Sequence, residues 1–189
     1  MFWAGLAAGA VTLGIGSVAA ALEFSAERQV KSQGKLQTAQ INFKDDRWRL
    51  EFAAPEGRAM AAIYRADLRL VWFIHSRERQ YLEVPMKPDD MVLVEERFQG
   101  EVSRDLIGTE ELNGYPTELF EVMVSRGGEK RQYYQWVTVV ERFPIKIVRK
   151  NDDWSVEYRR LIFARQPGKY FEPPFAYSLV KPAPDRRAP

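Results

Sequence analysis

Apolar and polar residues alternate along residues 40–84. Polar neighbours separate Ile41 from Phe43, and Trp48, Leu50 and Phe52 alternate with Arg47, Arg49 and Glu51. A period of two places one set on each face of a pleated strand. Asp45-Asp46, Pro55-Glu56-Gly57 and Ala66-Asp67 lie between the runs and supply turn residues. The run 70–74 is continuously apolar, which suits a strand covered on both faces or one turning inward. Four short strands with tight joins predict an antiparallel meander.

The same rhythm extends to both sides. Residues 24–32 predict a first strand, with Gly34 opening the hairpin. Pro85 and Pro88 interrupt the sheet. Pro88 followed by Asp89 and Asp90 suits the first turn of a helix, and Met91 to Arg97 would extend it by two to three turns. Residues 102–107 show no decisive period. Asn113-Gly114 is a strong hairpin signal, and after it Phe120, Val122 and Val124 alternate with Leu119, Glu121 and Met123. Gly127-Gly128 turns the chain into strands at 132–140 and 144–148. Asn151-Asp152-Asp153 then leads to Trp154, Val156 and Tyr158, with 161–164 continuing or bulging that strand. The total is about ten strands with one or two short helices.

Composition narrows the function more than the fold. The 189 residues are 46% hydrophobic, enough for one domain with a sizeable core. The 28 basic and 26 acidic residues are interspersed and leave a net charge of +2, so no nucleic-acid footprint is present. Cysteine is absent, which excludes disulfides, thiolate metal sites, cysteine nucleophiles and acylation at an N-terminal cysteine.

Residues 1–21 are uncharged, and Ala19, Ala20 and Ala21 resemble the small-residue cleavage pattern of an export signal. No basic residue precedes the apolar run. The expected organisation is a signal peptide over 1–21, one sheet domain over 22–181 and a disordered tail over 182–189. A retained membrane anchor is the alternative for the first segment, and a buried helix the remaining one. Export places the protein in the periplasm.

Catalytic chemistry finds little support. His75 is the only histidine, so no two-histidine metal site exists, and no nucleophile motif lies near it. Neither phosphate-binding glycine pattern occurs. The pairs Asp45-Asp46, Asp89-Asp90, Glu95-Glu96 and Asp152-Asp153 sit where turns or a helix face account for them. The expectation is a protein without catalytic residues, metal or cofactor. An aromatic sheet of about ten strands must bury its apolar face, and one short helical segment cannot fill a wide concavity. The sheet should therefore curve around an apolar cavity. Trp48, Leu50, Phe52, Ile63, Trp72, Ile74, Phe120, Val122, Val124 and Trp136 are the lining residues expected from alternation. A filled core is the competing reading for each of them.

Trp48 to Gly57 (WRLEFAAPEG), the strand LVWFIHSRERQYLEV, GTEELNGYPTELFEV and FEPPFAYSLVK together resemble the periplasmic lipoprotein carriers of the LolA/LolB type. The likeness covers about residues 24–181. It implies a strongly curved, half-open antiparallel sheet with a helical lid over a cavity for acyl chains. It also implies that Arg49, in register with the strand arginine of that family, controls the lid. The long helix that opens those carriers has no counterpart in residues 22–27. Two functions follow as expectations. One is a non-enzymatic carrier that holds a lipid or the acyl chains of a lipoprotein, with transient membrane contact, in outer-membrane lipoprotein sorting or lipid transport. The other is an envelope regulatory module that binds a protein partner on the same sheet.

Overall fold

The computed structural model describes residues 22–52 and 60–180. The expected signal segment, the turn at Pro55-Glu56-Gly57 and the expected tail all lie outside them. Twelve strands form one curved, unclosed sheet: β1 (Glu23–Ser32), β2 (Lys35–Lys44), β3 (Arg47–Phe52), β4 (Met60–Arg65), β5 (Leu70–His75), β6 (Gln80–Pro85), β7 (Glu101–Leu112), β8 (Tyr115–Arg126), β9 (Glu129–Thr138), β10 (Pro144–Arg149), β11 (Ser155–Phe163) and β12 (Ser178–Val180). Their spatial order is β12-β6-β5-β4-β3-β2-β1-β11-β10-β9-β8-β7. The mainly-β fold stands, with twelve strands rather than about ten.

Hairpin chemistry explains the register. Asn113 and Gly114 both have positive φ (54° and 84°), the pair of values a two-residue type I′ turn needs. The twist of that turn matches the twist of β7 and β8, which it joins. Gly100 is required for a second reason. Its φ is +83°, and a Cβ there would stand 2.6 Å from the Ser125 carbonyl oxygen, where Gly100 meets β8.

The strand order forces two long crossings. β6 ends at one end of the sheet and β7 begins at the other, so residues 86–98 must cross a face. β11 ends in mid-sheet beside β1 and β12 lies at the edge, so residues 164–177 must cross as well. They take opposite faces. We call the face bearing the larger cluster inner: Phe24, Ile41, Phe43, Trp48, Leu50, Phe143, Ile145, Ile147, Val156 and Tyr158 are buried there together with Val92 of the first crossing. Aromatic rings form its floor. Phe24 stacks on Phe43 with centroids 5.2 Å apart and meets Phe143 edge-on at 4.8 Å. Trp48 stacks on Tyr64 at 5.1 Å.

No helical lid forms among the described residues. The first crossing has one 3-10 turn, Pro88–Asp90, with the Lys87 N–H donating to Asp90 at 2.7 Å, and the second crossing has another, Gly168–Phe171. The start signals act as expected, but Met91 already adopts an extended conformation (φ −62°, ψ 133°). From there Val92, Leu93 and Val94 pack against the inner face outside any helix or strand. Burying side chains on a sheet that way outweighs the one or two turns of helix that the sequence could otherwise close.

Candidate functional site

Strand pairing assigns each expected lining residue to a face. Trp48 and Leu50 lie on the inner face of β3, opposite Phe43 and Ile41, and both are buried in the large cluster. Phe52 continues the same row and is 38% exposed. Phe120, Val122 and Val124 form a smaller buried cluster with Val137 on β8 and β9. Ile63, Trp72 and Ile74 are elsewhere. Ile63 pairs with Arg49 and with Trp72, while Leu50 pairs with Ala62. One residue of offset turns that set to the outer face, where it closes around Phe171. Trp136 is half-buried on β9 between Leu119 and Lys146, with the Lys146 ammonium 4.9 Å over its ring and its indole N–H donating to Glu110. The ten residues therefore do not share one surface.

Arg49 also belongs to the outer face. Its Nε donates to Glu51 at 2.6 Å and its Nη1 to the Tyr170 carbonyl at 3.5 Å, so the cover it touches is the C-terminal crossing. Arg65 does more there. It donates to both oxygens of Asp67 and to Glu172 at 2.6 Å, and its guanidinium lies 5.5 Å from the Trp72 ring. An open cleft of about 710 Å³ follows this crossing, lined by Asn42, Arg49, Lys169, Tyr170, Pro174 and the fully exposed Phe175, among others.

The inner site is built differently. Met86, Leu93, Val94 and Phe98 pack beside Val92 on the aromatic floor. The segment pairs with no described strand. Its few backbone anchors are the Met86 N–H on the Arg69 carbonyl, the Tyr158 hydroxyl on the Leu93 carbonyl at 3.1 Å and Arg104 on the Glu96 carbonyl at 2.6 Å. Ion pairs clasp its C-terminal end. Arg142 bridges Glu96 and Glu118, and Glu101 accepts from Arg97, Arg104 and the Phe98 N–H. The Arg142 hydrogen bond holds the Glu96 carboxyl below its usual range. Burial pushes Glu101 up, but the bonds from Arg104 and Phe98 outweigh it and its value is lowered.

Apolar side chains are also exposed on the inner side of β3–β6, away from the segment's two ends. Phe52 pairs with Met60, which is 40% exposed, and the half-buried Phe73 pairs with Leu82. These four make an apolar row beside Leu50. Sequence alternation found Phe52 and Leu50 but missed Tyr64, Phe73 and Leu82. The only signal available for them was the pairing register across Pro55-Glu56-Gly57. Among the described residues no cluster of three metal-ligating side chains occurs. His75 stands at the end of β5 opposite Met60 and Gln80.

No protein family matches the chain, and no curated protein does. Solved structures do. MucB superposes with a TM-score of 0.58 at 12% identity, over 84% of this chain and 60% of that one, so the chain spans about three-fifths of MucB. An uncharacterized conserved protein from Thermus thermophilus superposes with a TM-score of 0.55 at 13% identity, over 86% and 92% of the two chains. An outer membrane lipoprotein-sorting protein domain from Vibrio parahaemolyticus aligns over 79% of this chain at 12% identity, but its TM-score of 0.28 carries no argument. At these identities the likeness is one of fold alone.

Proposed function

We propose that the chain is a non-enzymatic binding protein of the cell envelope. It takes an acyl chain, from a lipid or a lipoprotein, onto the inner face of the sheet in exchange for residues 86–98. One observation carries this reading: part of the inner face is covered by an irregular segment that pairs with no described strand. Magnitudes agree with an exchange. A twelve-carbon chain gains roughly 10 kcal/mol on burial, at about 0.8 kcal/mol per methylene. Lifting Met86, Val92, Leu93, Val94 and Phe98 costs up to about 1.5–3 kcal/mol for each side chain. The two terms are of one size, so uptake is reversible, as a carrier requires. Phe52, Met60, Phe73 and Leu82 are the apolar row that admits the chain; Trp48, Leu50, Phe120, Val122 and Val124 lie beneath the displaced cover. Export into the periplasm through residues 1–21 and service in lipoprotein sorting or lipid transport belong to the same reading.

The direct test is uptake of a fluorescent fatty acid, with native mass spectrometry of the protein purified from its own envelope. The account expects saturable 1:1 uptake and a co-purifying acyl adduct. A clean unliganded mass with no uptake would sink it.

A second reading, an interaction module for a protein partner, draws on the outer cleft. Phe175 projects there fully into solvent beside Pro173 and Pro174. Under that reading Phe175→Ser would abolish partner capture and leave acyl uptake unchanged. Capture undiminished by the substitution would remove the support.

A further inference from the structure

Among the described residues, five buried side-chain nitrogens have no hydrogen-bond partner: Arg28 Nε, Trp48 Nε1, Arg104 Nη1, Gln135 Nε2 and Arg149 Nε. All five are donors, and no buried side-chain oxygen of the described residues is left unpaired with them. Pairing puts every one on the inner face. Arg28 stands opposite Ala39 and Tyr158, Trp48 opposite Phe43, Arg104 opposite Val122, Gln135 opposite Phe120 and Ile147, and Arg149 opposite Tyr133. Buried donors are normally satisfied, because an unmet one carries its full desolvation cost. An interior with surplus donors and no surplus acceptors is complementary to a ligand that supplies acceptor oxygen.

Two of the five lie side by side. Arg104 Nη2 donates to Gln135 Oε1 at 2.6 Å, which leaves Arg104 Nη1 and Gln135 Nε2 as neighbouring free donors. Gln135 is fully buried and the Arg104 side chain is 6% exposed. The Phe120 ring lies 4.6 Å from the guanidinium, and Val122 is the cross-strand neighbour. Phe98, at the end of the inner cover, stacks on Tyr133 one strand away at 4.9 Å. The site is therefore beneath the cover and beside apolar wall.

We propose that Arg104 and Gln135 form an anchor for the carbonyl oxygen of an ester- or amide-linked acyl chain whose tail lies along Phe120, Val122 and Val124. The proposal rests on the acyl-binding reading above and names the chemistry of the ligand's head. A carbonyl fits better than a carboxylate. Glu101 already accepts from Arg104 Nε and Nη2 with a side chain only 9% exposed, so a second carboxylate would face a buried like charge.

The test displaces a fluorescent fatty acid from the full chain with four competitors of equal length: dodecane, methyl dodecanoate, N-methyldodecanamide and dodecanoate. The ester and the amide should compete roughly ten- to a hundredfold better than dodecane, the range of a hydrogen bond to a charged donor. Dodecanoate should fall behind the ester. Preference for the ester over the amide would assign the anchor to glycerolipid-type linkages, and the reverse to amide-linked acyl groups. Equal competition by dodecane, ester and amide would overturn the anchor, leaving an ordered water on the two donors. No uptake of any probe would overturn the carrier reading itself. Gln135→Met should shrink the ester preference severalfold without abolishing it, since Arg104 Nη1 remains a donor; the wild-type comparison decides the matter even where that variant does not fold.

Discussion

The sheet is crossed twice, and the two crossings are held by different physics. On the outer face, residues 164–177 lead into β12, which pairs in parallel with β6 through Ser178, Leu179 and Val180. Phe171 is wholly buried among Ala61, Ile63, Trp72 and Ile74, and Arg65 clamps Glu172. On the inner face, residues 86–98 lie on a larger apolar floor and lead into β7, which pairs with β8; neither crossing pairs with a described strand along its own length. The hold on residues 86–98 is side-chain burial plus a clasp of Arg142, Glu96, Glu101 and Arg104. The outer crossing is pinned by one deeply buried ring and one buried guanidinium, whereas the row of aliphatic side chains on the inner floor fills a place that another apolar occupant of similar volume could fill. On the proposed reading the outer crossing is a strap and the inner one an exchangeable cover.

Single substitutions separate the two crossings. Phe171→Ala should cost about 3–5 kcal/mol in urea unfolding, the range for emptying a buried aromatic site, while folded protein still takes up fatty acid. Loss of uptake from the folded fraction would mean that the two covers act as one. Gly100→Ala should cost about 2–3 kcal/mol, since the new Cβ meets Ser125 at a left-handed backbone position; a smaller loss would show that the joint behind the inner cover is loose. Val92→Ala removes two methyl groups, about 1.6 kcal/mol by transfer. Part of that loss should reappear as tighter fatty-acid uptake, because a weaker cover is easier to displace.

Acid should loosen the inner cover, and it also weakens the Asp67–Arg65 pair beside the outer one, because the Arg65 hydrogen bond holds the Asp67 carboxyl below its usual range. Glu96 and Glu101 have folded values below the ordinary 4.5. A depressed carboxyl contributes stability above its unfolded value, and that contribution is lost as pH falls through the folded one. Uptake of an apolar dye should therefore rise below pH 4.5, and Glu96→Gln should reproduce part of the rise at neutral pH. An unchanged dye signal in Glu96→Gln would remove the clasp from the account. Phe175→Ser, fully exposed on the strap, should shift stability by no more than about 0.5 kcal/mol and leave uptake untouched.

The chain order of strands was largely legible in the sequence, because hairpin residues such as Asn113-Gly114 and period-two runs such as Trp48, Leu50 and Phe52 report local geometry. The continuous run at 70–74 was legible too: Val71 is buried on one face and Trp72 and Ile74 on the other. That same double burial hid the site. With apolar residues facing both ways on β4 and β5, nothing in the pattern separates Ile63 and Trp72 from Leu50. β7 was missed for the opposite reason. It is an edge strand with two bulges, and Val102, Leu106 and Ile107 are exposed, so no period survives. The helix expected from Pro88 stopped after one turn because tertiary burial of Val92 outweighed local propensity. Arg104 and Gln135 carry no sequence signal, since their meaning lies in unpaired nitrogens that only packing creates.

Hydrogen–deuterium exchange with and without methyl dodecanoate separates a displaced inner cover from a fixed one. The account predicts that amides in residues 87–97 exchange faster once ligand binds, while those in 168–180 keep their protection. Bound ligand with unchanged exchange in 87–97, or with faster exchange confined to 168–180, would contradict it.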